Sequence, residues 1–146
     1  MIQVILIVFV AMLIYSFMKS KREASIIQAQ RDALNEKKNK AIESLNIKEK
    51  VSTIDKEDRV FIFTEDNEVY VYNSKDESVE KLEDIKKILS KRRYESVQSG
   101  WATCTQLRGV VLAIKLSNSE YKSEFEPSEV KNVERFEELV QQELGI

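Results

Sequence analysis

The sequence predicts an α+β chain in three parts: a transmembrane anchor over 1–18, a charged helical linker over 19–50, and a soluble antiparallel β domain over 51–146 with a C-terminal helix. Three observations predict it. Ile2–Met18 carries no charged residue. The stretch 19–50 holds neither glycine nor proline and is rich in Ala, Glu, Lys, Gln and Arg, which favours helix. From Val51 the pattern changes to alternation, apart from Val79, Leu82, Ile85, Ile88 and Leu89, which fit a helical face, and a clear helical stripe follows Pro127.

The anchor comes first. At about 1.5 Å per residue, Ile2–Met18 makes a helix of roughly 25 Å, the short end of a membrane span. Lys19 can extend its stem along the apolar surface and lengthen the span. In lipid such a run satisfies its backbone groups only as a helix. A cleaved secretory signal is the competing reading. It wants a basic start and small residues before the cut, whereas this run is preceded only by the α-amino group and exits as Phe17-Met18-Lys19-Ser20-Lys21-Arg22. Lys19, Lys21 and Arg22 flank the span, and basic flanks stay in the cytoplasm. The expected placement is therefore the inner membrane, single-pass, with the N-terminus outside and the C-terminal domain cytoplasmic.

The linker holds nine basic and five acidic side chains, a balance of +4, while 51–146 balances at −6. Its basic residues are Lys19, Lys21, Arg22, Arg31, Lys37, Lys38, Lys40, Lys48 and Lys50. Ile27, Leu34, Ala41 and Leu45 lie near one helical face. The stripe reads first as a solvated helix leaving the membrane. Its sharper reading is a seam for homo-oligomer formation, although two weak heptads fall short of a coiled-coil signature.

In the domain, Val51–Ile54 is a short entering strand. Val60–Phe63 and Val69–Tyr72 are β-branched and aromatic runs joined by the turn chemistry of Thr64–Glu68, a hairpin. Asn73–Ser78 reads as a polar loop. Over 79–100 two readings stand. One places a short helix or turn at Leu82–Lys87 followed by a strand, and the other two strands joined at Lys91-Arg92-Arg93. Trp101–Leu107 alternates, Arg108-Gly109 reads as a turn, and Val110–Leu116 as a central, well-covered strand. Tyr121, Ser123 and Phe125 share one face of a last strand. Pro127 or Ser128 starts a helix with the stripe Val130, Val133, Phe136, Leu139/Val140 and Leu144, and Gly145 stops it.

The order of these elements resembles the pleckstrin-homology-like fold, a bent antiparallel sheet or barrel capped by a C-terminal helix. The resemblance covers 51–146 and is carried by VFIFTEDNEVYVYN, GVVLAIKLSNSEYKSEFEP and SEVKNVERFEELVQQEL. The whole chain is similar to small bacterial proteins that pair an N-terminal membrane helix with a cytoplasmic domain of this kind. What the resemblance implies is a binding or scaffolding module; fold analogy names no ligand.

Composition narrows the chemistry. The chain has 146 residues, no histidine and one cysteine. Histidine triads, histidine general bases and multi-cysteine metal sites are excluded, and no intrachain disulfide can form. Three glycines leave no phosphate-cradling loop, and no nucleophile elbow occurs. No cofactor and no catalytic residue are expected, so the chain is not read as an enzyme; a carboxylate-dependent enzyme remains the minor alternative. Cys104 reads as a buried or half-buried structural thiol, and Trp101 as a core ring with a partner hot spot as the alternative. Asp55, Glu57 and Asp58, like Glu65, Asp66 and Glu68, read as solvated turns, since the calcium-loop spacing is missing.

Lys86, Lys87, Lys91, Arg92 and Arg93 form the densest basic cluster. The commoner fate of such a run is a solvated edge kept from aggregating by charge. Its functional reading is contact with an anionic surface, a membrane-associated protein partner or anionic lipid. Nucleic acid is not expected, because only Tyr94 could stack beside the charge and the net charge is −2. The expected function is thus a membrane-anchored interaction module that raises encounters near the lipid bilayer held by Ile2–Met18.

Overall fold

The computed structural model describes residues 1–45, 47 and 51–146. Lys48, Glu49 and Lys50 of the predicted linker, with Asn46, lie outside the described residues. The chain divides into two compact units, Met1–Lys37 and Lys38–Ile146. The architecture is α+β: a long apolar N-terminal helix, two antiparallel sheets and a C-terminal helix.

Helix α1 runs Ile2–Glu43, so anchor and linker positions belong to one helix of 42 residues. Its N-terminal part is long and apolar enough to cross a membrane. Side chains from Val4 to Met18 stand exposed around it.

Among the described residues the second unit is built on seven strands: β1 (Ser52–Ile54), β2 (Arg59–Phe63), β3 (Val69–Asn73), β4 (Ser78–Leu82), β5 (Ile85–Ser99), β6 (Ala102–Leu116) and β7 (Glu120–Phe125). β1–β4 form one antiparallel sheet in sequence order, and β5–β7 a second. The hairpin predicted around Thr64–Glu68 is β2–β3, with Phe61 opposite Val71. Asp55 bridges to Phe125, and the Lys56 amide donates to the Glu124 carbonyl at 2.8 Å, joining the sheets at one corner.

Each turn from β1 to β5 is closed by a non-glycine residue with positive φ: Asp58, Asn67, Glu77 and Asp84. Asp and Asn tolerate this left-handed region because their short polar side chains bond locally. A chain with three glycines can therefore still make consecutive tight turns.

That chemistry decides the reading of 79–100. At Leu82–Lys87 the turn forms and the helix does not: Asp84 turns β4 directly into β5, the strand expected to follow, and Val79 and Leu82 lie on β4. Nor do Lys91-Arg92-Arg93 join two strands; they lie inside the 15-residue β5. The predicted turn at Arg108-Gly109 is likewise absent: β6 runs on past it, with Arg108 the extra residue where the register shifts between Arg93↔Gly109 and Tyr94↔Leu107. Gly109 is needed there for close approach: a Cβ would sit 2.4 Å from the Phe125 carbonyl oxygen.

The main core lies between the two sheets and helix α2 (Val130–Leu144), which follows a 3-10 turn at Pro127–Glu129. Phe61, Phe63, Val71, Leu112, Ile114 and Phe125 meet Val133, Phe136 and Val140 of α2. Each such large apolar side chain contributes about 1.5–3 kcal/mol on burial. The predicted apolar stripe of the terminal helix is the face that is buried.

The strand expected at Val110–Leu116 is central in its sheet, β5-β6-β7, with Val110, Leu112 and Ile114 buried, but the strand covered on both faces is β2. Val60, Phe61, Ile62 and Phe63 are all buried, whereas Val111 and Ala113 of β6 are only partly covered. The second face of β2–β3, formed by Val60, Ile62 and Tyr72, is packed by Ala41, Ile42, Leu45 and Ile47. The end of the predicted linker is thus part of the domain's packing. Lys38 adds an ion pair to Asp58 at 4.0 Å.

Candidate functional site

The pleat of β5–β7 sorts their side chains onto two faces. Ile88, Ser90 and Arg92 pair across to Ile114, Leu112 and Val110, and these to Tyr121, Ser123 and Phe125. This set faces the core and α2. The outward set is Lys87–Lys115–Glu120, Leu89–Ala113–Lys122, Lys91–Val111–Glu124 and Arg93–Gly109.

The predicted basic cluster is therefore divided. Arg92 turns to the helix, where its Nε and Nη2 donate to Glu134 at 2.6 and 3.1 Å. Ser90 beside it donates to Glu137, and Gln141 donates to the Ile88 carbonyl at 2.9 Å. Arg92 is raised above its ordinary pKa by the Glu134 bond first, and Glu134 is held below the usual carboxylate range by Arg92. Lys86 is the extra residue where the β5 register shifts. Lys87, Lys91 and Arg93 remain together on the outward face.

That face carries five basic and two acidic side chains on a domain whose balance is −6. Glu124 accepts from Arg93 at 3.0 Å and lies 3.3 Å from Lys56. Glu120 lies 4.0 Å from Lys122. Among the described residues, Lys87, Lys91 and Lys115 make no ion pair. Lys87 and Lys115 are direct cross-strand neighbours, a like-charge juxtaposition that disfavours the sheet unless an anion meets it. Leu89, 46 % exposed, and the half-covered Val111 and Ala113 give the centre an apolar floor. The arrangement can receive an acidic surface around a small apolar contact. Sequence reasoning missed Lys115 and Lys122, although the alternation of β6 and β7 carried the signal.

Beyond β7, β5 and β6 continue as a two-stranded arm from Tyr94/Leu107 to Ser99/Ala102. Glu95 and Arg108 form an ion pair at its base. Trp101 at the apex is fully exposed rather than a core ring, and Cys104 on the arm is exposed rather than buried. The reason is topological: β7 ends its pairing at Val110, so nothing packs on the arm's outer half.

Clefts lie elsewhere on the domain among the described residues. One of about 370 Å³ is lined by Asn67, Glu68, Lys81, Glu83 and Asp84 among others. Glu68 accepts from Lys81 at 2.7 Å and from the Tyr70 hydroxyl at 2.5 Å, which lower its pKa. Another, about 290 Å³, is walled by Asp55, Arg59 and Ser123. Asp55 is no solvated turn residue: it is buried and ion-paired to Arg59 at 2.6 Å. Among the described residues, no group of three metal-ligating side chains forms.

On α1, Lys19, Lys21 and Arg22 are exposed just past the apolar run, and Lys21 lies 5.2 Å from the Phe17 ring centroid. Compared with family models, curated proteins and solved structures, the chain matches none.

Proposed function

We propose that the chain is a single-pass, inner-membrane-anchored interaction module, non-catalytic, with its N-terminus outside and the domain in the cytoplasm. The observation that carries this reading is the outward face of β5–β7. Lys87, Lys91 and Lys115 leave their charge unspent there around exposed Leu89. The partner it fits is the acidic surface of a membrane-associated protein. The likeness to a pleckstrin-homology-like domain, a bent sheet closed by a terminal helix, accords with binding rather than chemistry. Among the described residues, the acids with displaced pKa values are Glu68, lowered by hydrogen bonds from Lys81 and Tyr70, and Glu134, lowered by Arg92, which favours ion pairing over acid catalysis.

The test is affinity capture of the full chain from solubilised membranes. The intact protein is compared with Lys87→Glu/Lys91→Glu/Lys115→Glu and with the anchor alone. A partner retained by the intact chain and lost by both controls supports the reading. Identical capture by all three defeats it. Binding only to anionic vesicles would assign the face to lipid instead. Topology is read separately from Ser128→Cys in a Cys104→Ser chain, a single thiol at an exposed position away from the β5–β6 arm. A membrane-impermeant maleimide should label it only after the membrane is opened; labelling of intact spheroplasts would reverse the orientation.

Homo-oligomer formation through α1 is the second reading. Ile27 and Leu34 are exposed and can still serve a seam, while Ala41 and Leu45 are packed against the domain's sheet.

A further inference from the structure

We infer that the apex of the β5–β6 arm, centred on Trp101, seats in the interfacial zone of the bilayer that holds α1. Four observations converge. The twelve residues Ser96–Leu107 carry no charge in a chain that is 33 % charged. The arm has no third strand, since β7 pairs only as far as Val110. Trp101 is fully exposed at the turn, beside Gly100 at φ +61 with open space around it. Finally, the same chain carries a helix long and apolar enough to span a membrane.

The chemistry selects the interface rather than the hydrocarbon. Tryptophan joins a large apolar ring to an N–H donor and concentrates at the headgroup level. Ser96, Ser99, Thr103 and Thr105 supply hydroxyls suited to that zone. The unpaired edges of a two-stranded ribbon could find no hydrogen-bond partners in hydrocarbon, so deep insertion is excluded. At about 3.3 Å per residue, the outer two or three residues of each strand span roughly 5–10 Å, the depth of interfacial seating. A second copy adding to a free edge is the competing occupant. Edge pairing covers the strands, whereas Trp101 lies in the turn between them and would stay uncovered.

This inference rests on the anchored reading, and the experiment separates the two. Trp101 is the one tryptophan in the chain, so its fluorescence reports the apex alone. The full chain is reconstituted into vesicles of phosphatidylcholine and phosphatidylglycerol, and flotation is measured first. The expected result is a blue-shifted Trp101 emission that is quenched by interfacially brominated lipid and shielded from aqueous iodide. Ala102→Glu, at an exposed position, should abolish shift and quenching while leaving the circular dichroism spectrum unchanged. A floating chain with water-like, iodide-accessible emission overturns this inference alone. So does a blue shift without lipid quenching that grows with protein-to-lipid ratio, which would assign the apex to a second copy. A chain that does not float overturns the anchored reading and this inference with it.

Discussion

Arg59 Nε lies 2.6 Å from Oδ2 of Asp55, across the turn from β1 to β2. Asp55 Oδ1 also accepts the amides of Glu57 and Arg59, at 3.1 and 2.8 Å. The guanidinium reaches onward to the Tyr121 hydroxyl at 3.2 Å and Ser123 Oγ at 2.9 Å. Burial lowers the Arg59 pKa, and the Asp55 hydrogen bond and charge more than restore it, leaving it raised. One ion pair thus shapes a turn and ties β2 to β7.

Asp55→Ala should therefore be strongly destabilising. Breaking a buried pair costs about 3–5 kcal/mol. The Arg59 side chain is 16 % exposed against 1 % for Asp55, so water recovers part of the loss. A cost of about 2–3 kcal/mol is expected in urea unfolding followed by circular dichroism. A loss below about 1 kcal/mol would reduce the pair to the worth of a surface bridge.

Gly109→Ala and Gly100→Ala should differ in kind. At Gly109 the new methyl meets the Phe125 carbonyl at 2.4 Å, and backbone must move. A cost of about 1–3 kcal/mol follows, with β6–β7 amide resonances shifted. At Gly100 there is open space but φ is +61, so only conformational strain of about 1 kcal/mol arises. Equal effects, or a larger one at Gly100, would contradict the close approach.

Leu45 and Leu34 sit on the same predicted stripe, yet Leu45 packs on Val60, Ile62 and Tyr72 while Leu34 is 53 % exposed. Leu45→Ala should lower stability by about 1–2 kcal/mol, less than a fully buried leucine because it is half covered. Leu34→Ala should change it by less than about 0.5 kcal/mol. Thermal unfolding in detergent micelles reads both, and matching values would remove Leu45 from the domain's packing.

Thr53 is buried, and its hydroxyl has no hydrogen-bond partner among the described residues. Thr53→Val keeps the shape and removes an unsatisfied polar atom. Stability should rise by about 1 kcal/mol. A loss on substitution would mean the hydroxyl is satisfied.

Acid should weaken the contact of α2 with β5. Arg92 holds the Glu134 pKa below its ordinary value of 4.5. A carboxylate with a depressed folded pKa contributes its full stability above the unfolded value and loses it as pH falls through the folded one. The intact protein should therefore lose more thermal midpoint than Glu134→Gln between about pH 6 and about pH 3. Parallel curves would show that the bridge contributes nothing.

The residues by themselves determined the long apolar N-terminal helix, the β2–β3 hairpin and the stripe of α2. All three are local, because periodicity and turn chemistry act over neighbouring positions. They also placed Tyr121, Ser123 and Phe125 on one face. Only the tertiary structure decided that Asp84 would turn β4 straight into β5, since a left-handed aspartate carries no obligatory signal in its neighbours. It alone opposed Gly109 to Phe125, took Ala41 and Leu45 into the second packed face, and divided the basic cluster between Glu134 and the outward face. It also left Trp101 exposed, which depends on where β7 stops pairing with β6. These outcomes depend on partners distant in sequence, and a strand pattern fixes alternation without fixing which face another element will cover.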